Sequence, residues 1–285
     1  MAAIVIAVVW TIPTFGLFVS SFRPEMEIKT TGWWTFFTDP QITLDNYEQV
    51  LFGRSASSGQ LASYFINSLV ITLPSVLFPL AFASLAAYAL AWINFRGRDW
   101  VYIGIFALQI VPLQMALVPL LSFFSRGVSV GGVTLMPAWD LVDEQKFIQV
   151  WFAHTCFALP LAIFLLHNFI SQLPRDLMEA ARVDGASHPK IFRRIVLPLI
   201  VPALAAFGIF QFLWVWNDLL VALIFADGSG TKPLTVRLAE LAGTRGNEWQ
   251  RLTSGAFVSI IVPLIVFLSL QRYFVRGLLA GSVKG

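Results

Sequence analysis

The side chains able to do chemistry in this chain are few, and they fall in two places. One is the charged stretch EAARVDGASHPKIFRRIVLP, residues 179–198, which interrupts an otherwise apolar sequence. The other is a polar set inside a long apolar run: Gln211, Trp214, Asn217 and Asp218. Gln211, Trp214 and Asp218 follow the spacing i, i+3, i+7, which predicts one shared helix face. A carboxylate at mid-membrane costs roughly 2.5–3.5 kcal/mol on insertion scales, so Asp218 must face protein or water. Ingredients of catalysis are otherwise missing. No Gly-x-x-x-x-Gly-Lys-Ser/Thr cradle for phosphates occurs, and Lys232, which follows a Gly-Thr pair, is followed by Pro233. His154, His167 and His188 lack metal-ligand spacing and read as satisfied structural histidines. The single cysteine, Cys156, builds neither a disulfide nor a zinc site and reads as a small packing residue. No catalytic cluster of His, Asp, Glu or Ser marks a membrane-embedded enzyme.

Membrane helices must position these residues. Of 285 residues, 57% are hydrophobic and 12% charged, against about 25% charged in a soluble domain. Lipid must therefore be the solvent. A span needs roughly 20 apolar residues, and six runs qualify, at about 2–22, 62–93, 100–125, 147–171, 199–226 and 253–274. The expectation is an all-α integral membrane protein, one transmembrane domain over residues 1–285. The first run has no basic leader and no small-residue cleavage pattern, so it reads as a retained span. Short segments 94–99, 172–198 and the tail after 274 are dense in Lys and Arg, whereas 23–61, 126–146 and 227–252 are longer and richer in acids. That asymmetry places the first set, with both termini, in the cytoplasm. The small net charge of +3 reads as topology rather than nucleic-acid binding. Every run carries proline, which either is tolerated by neighbouring helices or bends spans around a path.

The loop 172–198 has its own local logic. Pro174 suits a first helical turn, and residues 175–183 are good helix formers with Leu177, Met178 and Ala181 on one face. Asp184 and Gly185 break that helix, because glycine accepts the left-handed conformation. Ser187 is then an N-cap for a second short helix from Pro189, with Ile191, Phe192 and Ile195 as its apolar face. On physics alone this pair is either an amphipathic hairpin anchored in lipid headgroups or a docking element.

The same stretch resembles the EAA motif of ABC importer permeases: Glu-Ala-Ala, three residues, Gly, nine residues, Ile, one residue, Leu-Pro. Here these are Glu179, Ala180, Ala181, Gly185, Ile195, Leu197 and Pro198. The ending GLLAGSVKG resembles the tail of the smaller membrane subunit of maltose-type importers, and "GWWTFFTDPQITLDNY" resembles the α-glucoside branch. The resemblance implies the type I ABC importer permease fold and a sugar substrate, an α-glucoside or another oligosaccharide such as maltose or trehalose. It implies that the loop, Asp184 included, contacts an ATP-binding subunit, and that Val283, Lys284 and Gly285 reach the same subunits. Implied partners are a second permease subunit, two ATP-binding subunits that hold the ATP and Mg, an extracytoplasmic sugar-binding protein, and membrane lipid. This chain would hold no cofactor or metal and would not be an enzyme.

With that resemblance, Gln211, Trp214, Asn217 and Asp218 have two readings. They are the polar, aromatic wall of a sugar path, or a buried contact with the second permease subunit. The outer loop 227–252 is longer than the usual connection of about 2–8 residues between helices. "TVRLAELAG" in it reads as a short helix ending at Gly243. By resemblance this loop projects toward the binding protein, with Gly228, Thr231, Thr244 and Asn247 as contacts. Alternative substrates are another small polyol or glucosyl solute. An ion-coupled secondary transporter is the competing class, but it calls for internal repeats and more intramembrane charge.

Overall fold

A backbone in hydrocarbon can satisfy its own N–H and C=O groups only in a helix or a closed barrel, and this chain takes the helical solution. The computed structural model describes residues 1–282 apart from 54–60, 139–146, 227, 229 and 244–247. In chain order the helices are α1 (Ala2–Ser21), α2 (Glu25–Thr30), α3 (Asp45–Phe52), α4 (Leu61–Trp92), α5 (Arg98–Ala107), α6 (Leu113–Arg126), α7 (Ile148–Ser171), α8 (Arg175–Val183), α9 (His188–Ile191), α10 (Leu197–Leu199), α11 (Val201–Trp216), α12 (Leu220–Phe225), α13 (Leu234–Ala242) and α14 (Trp249–Ser282). Among the described residues, α1, α4, α7 and the Trp249–Gln271 part of α14 are each long and apolar enough to cross a membrane. Two bent pairs reach the same length together: Arg98–Ile110 with Leu113–Arg126, and His188–Leu199 with Val201–Trp216.

Two expected spans are therefore not continuous helices. The run 100–125 is an elbow of 104°. Pro112 supplies no N–H and disfavours helical geometry at the residue before it, and Val111 is extended at φ −72°, ψ 117°. The run 199–226 is cut after Trp216 and resumes at Leu220. Connections expected as plain loops also carry structure. Residues 23–61 contain α2, a 3-10 turn over Trp33–Phe37, and α3. Residues 126–146 contain a two-stranded antiparallel hairpin, β1 (Val128–Val130) and β2 (Val133–Met136).

The chain divides into two compact units, residues 1–69 with 227–265, and 70–226 with those after 265. In the first, Arg23 is buried and donates to the Gly32 carbonyl and the Thr35 hydroxyl, so the segment after α1 is folded back on itself. Asn46 of α3 donates to the carbonyls of Ser21 and Arg23 and fixes the end of α1. In the second unit one continuous core joins α4 (Ala83, Ala87, Tyr88), α7 (Ala158, Ala162, Leu166, Ile170), α8 (Met178, Ala181), Ile191 of α9, Val196, and Ala203 and Phe207 of α11. The alanines let helices approach closely, which substitutes for a hydrophobic driving force in lipid.

A charged surface loop and a cavity under a helix elbow

The charged loop is built outward from that core. Pro174 precedes α8, as its fixed φ suits a helix start. Met178 and Ala181 point inward at 1% and 8% exposure. The helix ends with two backbone bonds: Gly185 N–H donates to the Arg182 carbonyl at 2.9 Å and Ala186 N–H to the Ala181 carbonyl at 2.9 Å. This 5→2 and 6→1 pair is the Schellman closure, and it requires Gly185 in the left-handed region, where it sits at φ +76°. Ser187, extended at φ −72°, ψ 158°, precedes α9 but makes no side-chain cap bond. A π-helical turn over Phe192–Val196 then joins α9 to α10.

Two long-range bonds tie this loop to α4, and a third joins α4 to α7. His188 Nδ1 and the Tyr88 hydroxyl of α4 are 2.8 Å apart. Arg182 donates to the carbonyl of Trp92, the last residue of α4, at 3.2 Å. A cation there meets one of the orphan carbonyls of a helix end and the negative end of its dipole. The Trp92 indole in turn donates to the Ile170 carbonyl of α7 at 3.3 Å.

The sequence-predicted loop residues therefore separate. Glu179, Ala180, Asp184, Gly185 and Pro198 are exposed. Ile195 and Leu197 are half-buried, and Ala181 packs inward beneath the loop rather than on its outer face. Val183 is an apolar side chain left 88% exposed next to the Gly185 turn, and Leu177 is exposed too.

The polar set in the apolar run is differently placed from the single face that its spacing predicts. The helix stops at Trp216, and Asn217 and Asp218 lie in the break. Asn217 donates its side-chain amide to the Leu213 carbonyl at 2.8 Å, covering the end of α11. The Asp218 carboxylate accepts from the N–H groups of Val221 at 3.4 Å and Ala222 at 3.0 Å, covering the start of α12. Asp218 thus supplies acceptors that the interrupted backbone lost, while Asn217 adds a second bond to a carbonyl that its own N–H also reaches. Asp218 Oδ2 also lies 3.8 Å from Nε2 of His154, which is 2% exposed on α7. Gln211 is buried and donates to the Ser75 carbonyl over 3.4 Å, whereas Trp214 is half-exposed.

A cavity of about 510 Å³ opens under the α5–α6 elbow. Gln211 and Trp214 of α11, His154 and Cys156 of α7, and Gln109 and Pro112 of the elbow line it. Asn217 and Asp218 are not in its wall. Gln109 is the residue that sequence reading missed here, although a lone amide in an apolar run just before Pro112 was a signal. His154 reads from sequence as a structural histidine, and its neighbour Asp218, remote in sequence, follows only from the fold.

On the expected outer loop, Thr231 is buried and closes a turn onto the Gly228 carbonyl through its N–H and hydroxyl. It is not an outward contact; Gly228 is exposed. Asn67 donates to the carbonyls of Gly230 and Lys232, and Ser68 accepts from the Leu234 N–H, so α13 is fastened to the start of α4. Gly243 ends α13 at φ −69°, a right-handed conformation that makes no special use of glycine. Thr244, Asn247, Val283, Lys284 and Gly285 lie outside the described residues.

Comparison with known proteins places this architecture. The family model described as "Binding-protein-dependent transport system inner membrane component" matches residues 79–280. The chain belongs to this family: it is a membrane-spanning transport component. It is 49% identical over 289 residues to the osmoprotective compounds uptake permease protein GgtD of Synechocystis sp., covering 100% of this chain and 91% of the relative. It is 49% identical to the alpha-glucoside transport system permease protein AglG of Rhizobium meliloti, over 96% of this chain and 70% of the relative. It is 32% identical to the trehalose/maltose transport system permease protein MalG of Thermococcus litoralis, over 100% and 95% of the two chains. A chain from the crystal structure of a bacterial ABC transporter that imports the acidic polysaccharide alginate superposes with a TM-score of 0.68 at 22% identity, covering 96% of this chain and 95% of that one. That likeness shows the ABC importer permease fold.

Proposed function

We propose that this chain is one membrane-spanning half of an ATP-driven importer that takes a sugar from an extracytoplasmic binding protein. The observation that carries this reading is the construction of the loop at 172–198. Its inner side belongs to the core of the spans, while Glu179, Ala180, Val183 and Asp184 stay exposed on a surface closed by the Gly185 turn. A surface helix pair fastened at Tyr88, Trp92 and the shared core can pass a push from outside directly to α4 and α7. The push would come from two ATP-binding subunits, which hold the ATP and Mg; the exposed loop residues and the tail at Val283, Lys284 and Gly285 would touch them. A second permease subunit completes the membrane portion. The density of Lys and Arg in these loops supports a cytoplasmic position for this surface and both termini in a bacterial or archaeal cell.

The names of the relatives support a neutral glucose-containing substrate, an α-glucoside such as trehalose or maltose. The name of the Synechocystis relative supports a second reading, another small polyol or glucosyl solute used as an osmoprotectant. On the outer side, Gly228 and the segment 244–247 would meet the binding protein.

The test is reconstitution of the complete importer in proteoliposomes. Expected results are ATP-dependent uptake of radiolabelled trehalose or maltose and binding-protein-stimulated ATPase activity. Both should be lost in Gly185→Val. A cysteine placed at Ser187 should react with an impermeant thiol reagent only from the ATP-hydrolysing side. Labelling from the outside of sealed cells would overturn the orientation, and ATPase coupling untouched by Gly185→Val would overturn the docking role of the loop.

A further inference from the structure

We propose that the cavity under the α5–α6 elbow binds a neutral, hydroxyl-rich solute inside the membrane, so that this subunit handles the sugar itself. The inference rests on the importer reading above and adds a site to it.

The backbone supplies the first reason. The first arm of the elbow stops at Ile110, and Val111 and Pro112 are extended. The final carbonyls of that arm have no helical N–H to receive. Irregular backbone at membrane depth persists only where it is buried in protein or borders a water-filled cavity. Discontinuous spans of this kind mark solute sites in other transporters. The cavity that borders this break measures about 510 Å³, inside the range of roughly 300–1,000 Å³ for small-molecule pockets.

The wall supplies the second. It is mostly apolar, and its polar members are Gln109, His154, Gln211 and the indole of Trp214. Among the described residues no Lys, Arg, Asp or Glu lines it, which disfavours an ion. Two amides, each both donor and acceptor, suit hydroxyl groups, which also both donate and accept. A half-exposed indole offers a flat face to the C–H side of a sugar ring and a donor at its edge. The wall is also held in place. His154, at 2% exposure, lies beside Asp218, whose carboxylate caps α12 across the second helix break. The two interruptions, elbow and break, thus frame the same cavity wall through His154.

Cys156, the only cysteine in the chain, lies in this wall and serves as a native reporter. The experiment uses the complete importer in proteoliposomes, with radiolabelled trehalose and maltose as probes. Modification of Cys156 by charged 2-aminoethyl methanethiosulfonate is followed by mass spectrometry of its peptide. The expected result is that Cys156 reacts with the charged reagent and that a transported sugar slows the reaction. Trp214→Leu and Gln109→Leu, both at exposed positions, should lower uptake by about tenfold, the rate equivalent of one well-made hydrogen bond. Reaction of Cys156 with lipid-soluble N-ethylmaleimide but not with the charged reagent would overturn the proposal, because the cavity would then face lipid. Uptake by both variants at the wild-type rate would overturn it as well. Uptake of neither sugar by the wild type would instead strike the α-glucoside reading of the importer. Cys156 labelling unaffected by either sugar would then remove the site with it.

Discussion

Helices stop at two comparable places in the second unit, after Val183 and after Trp216, and the two stops are built from different materials. At the first, the backbone closes on itself: Gly185 at φ +76° lets two N–H groups reach back to the Ala181 and Arg182 carbonyls. At the second there is no glycine and no proline. The Asp218 carboxylate covers free N–H groups at the start of α12, and the Asn217 amide adds a second donor to the Leu213 carbonyl. The difference follows from solvent. Near water an uncovered peptide group is cheap and the conformation of one residue is the main cost, so a glycine suffices. Within an apolar run an uncovered peptide group costs several kcal/mol, so polar side chains must be carried in to cover it.

The contrast can be broken most severely at Asp218. Asp218→Leu removes the acceptor of the Val221 and Ala222 N–H groups, at about 1–3 kcal/mol for each unpaired group. The purified protein should melt well below wild type in detergent, and Asp218→Asn, which keeps one carbonyl acceptor, should recover part of the loss. Equal melting temperatures for wild type and Asp218→Leu would mean that the break needs no carboxylate.

Next in size is Gly185→Val. A Cβ built at Gly185 meets nothing within 4 Å, so the cost is conformational, about 1–2 kcal/mol for a side chain in left-handed geometry and more for a β-branched one. Gly185→Asn should stay close to wild type in uptake while Gly185→Val loses it. Similar uptake by the two variants would show that left-handed geometry is not what the loop needs.

A smaller effect is expected for Tyr88→Phe, which deletes one hydrogen bond to His188 worth about 0.5–1.5 kcal/mol. Amide exchange in α9 should quicken while exchange in α7 stays put; equal quickening in both would place the fastening elsewhere.

The smallest effect belongs to the segment around α13. The Lys232 ammonium hydrogen-bonded to Glu240, with Arg237 adding to it, holds that carboxyl below its ordinary value. A lowered folded-state value means the contribution is present above the ordinary value of 4.5 and is lost as pH falls through the lowered one. Exchange at α13 should therefore be flat from neutral pH down to that region and quicken only below it. Quickening already near pH 6 would point to a different group.

What could be read from the residues divides along the same line as the two stops. The Gly185 turn, helix 175–183 and the short helix after Ser187 are local events, decided by neighbours a few positions apart, and they were legible. Pro112 was visible, yet tolerance of proline by neighbouring helices left a bend of 104° unread. The break at Asn217 went unseen, because a run as apolar as residues 201–225 reads as one helix when side-chain caps are not considered. Tyr88 and His188 are 100 residues apart, and nothing in either neighbourhood names the other. Asp218 was singled out on its cost in lipid, but its partners His154, Val221 and Ala222 follow only from the fold. Thr231 and Ala181 were expected on outer surfaces and are buried, since exposure of a small residue depends on what packs over it.

The π-helical turn over Phe192–Val196 has a consequence of a different kind. A π turn holds one residue more than the α-helical turn it replaces. It therefore works as a phase adjuster between the surface helix and the span that follows. Each residue in an α-helix turns the chain by about 100°. With the extra residue, Ile191 and Val196 both arrive in the core. Deleting a single residue such as Arg194 would restore a regular α-helix, keep its hydrogen bonds and keep its length in turns. It would also rotate the loop about a quarter of a turn against α11, and aim its charged face at the place where Ile191 now packs.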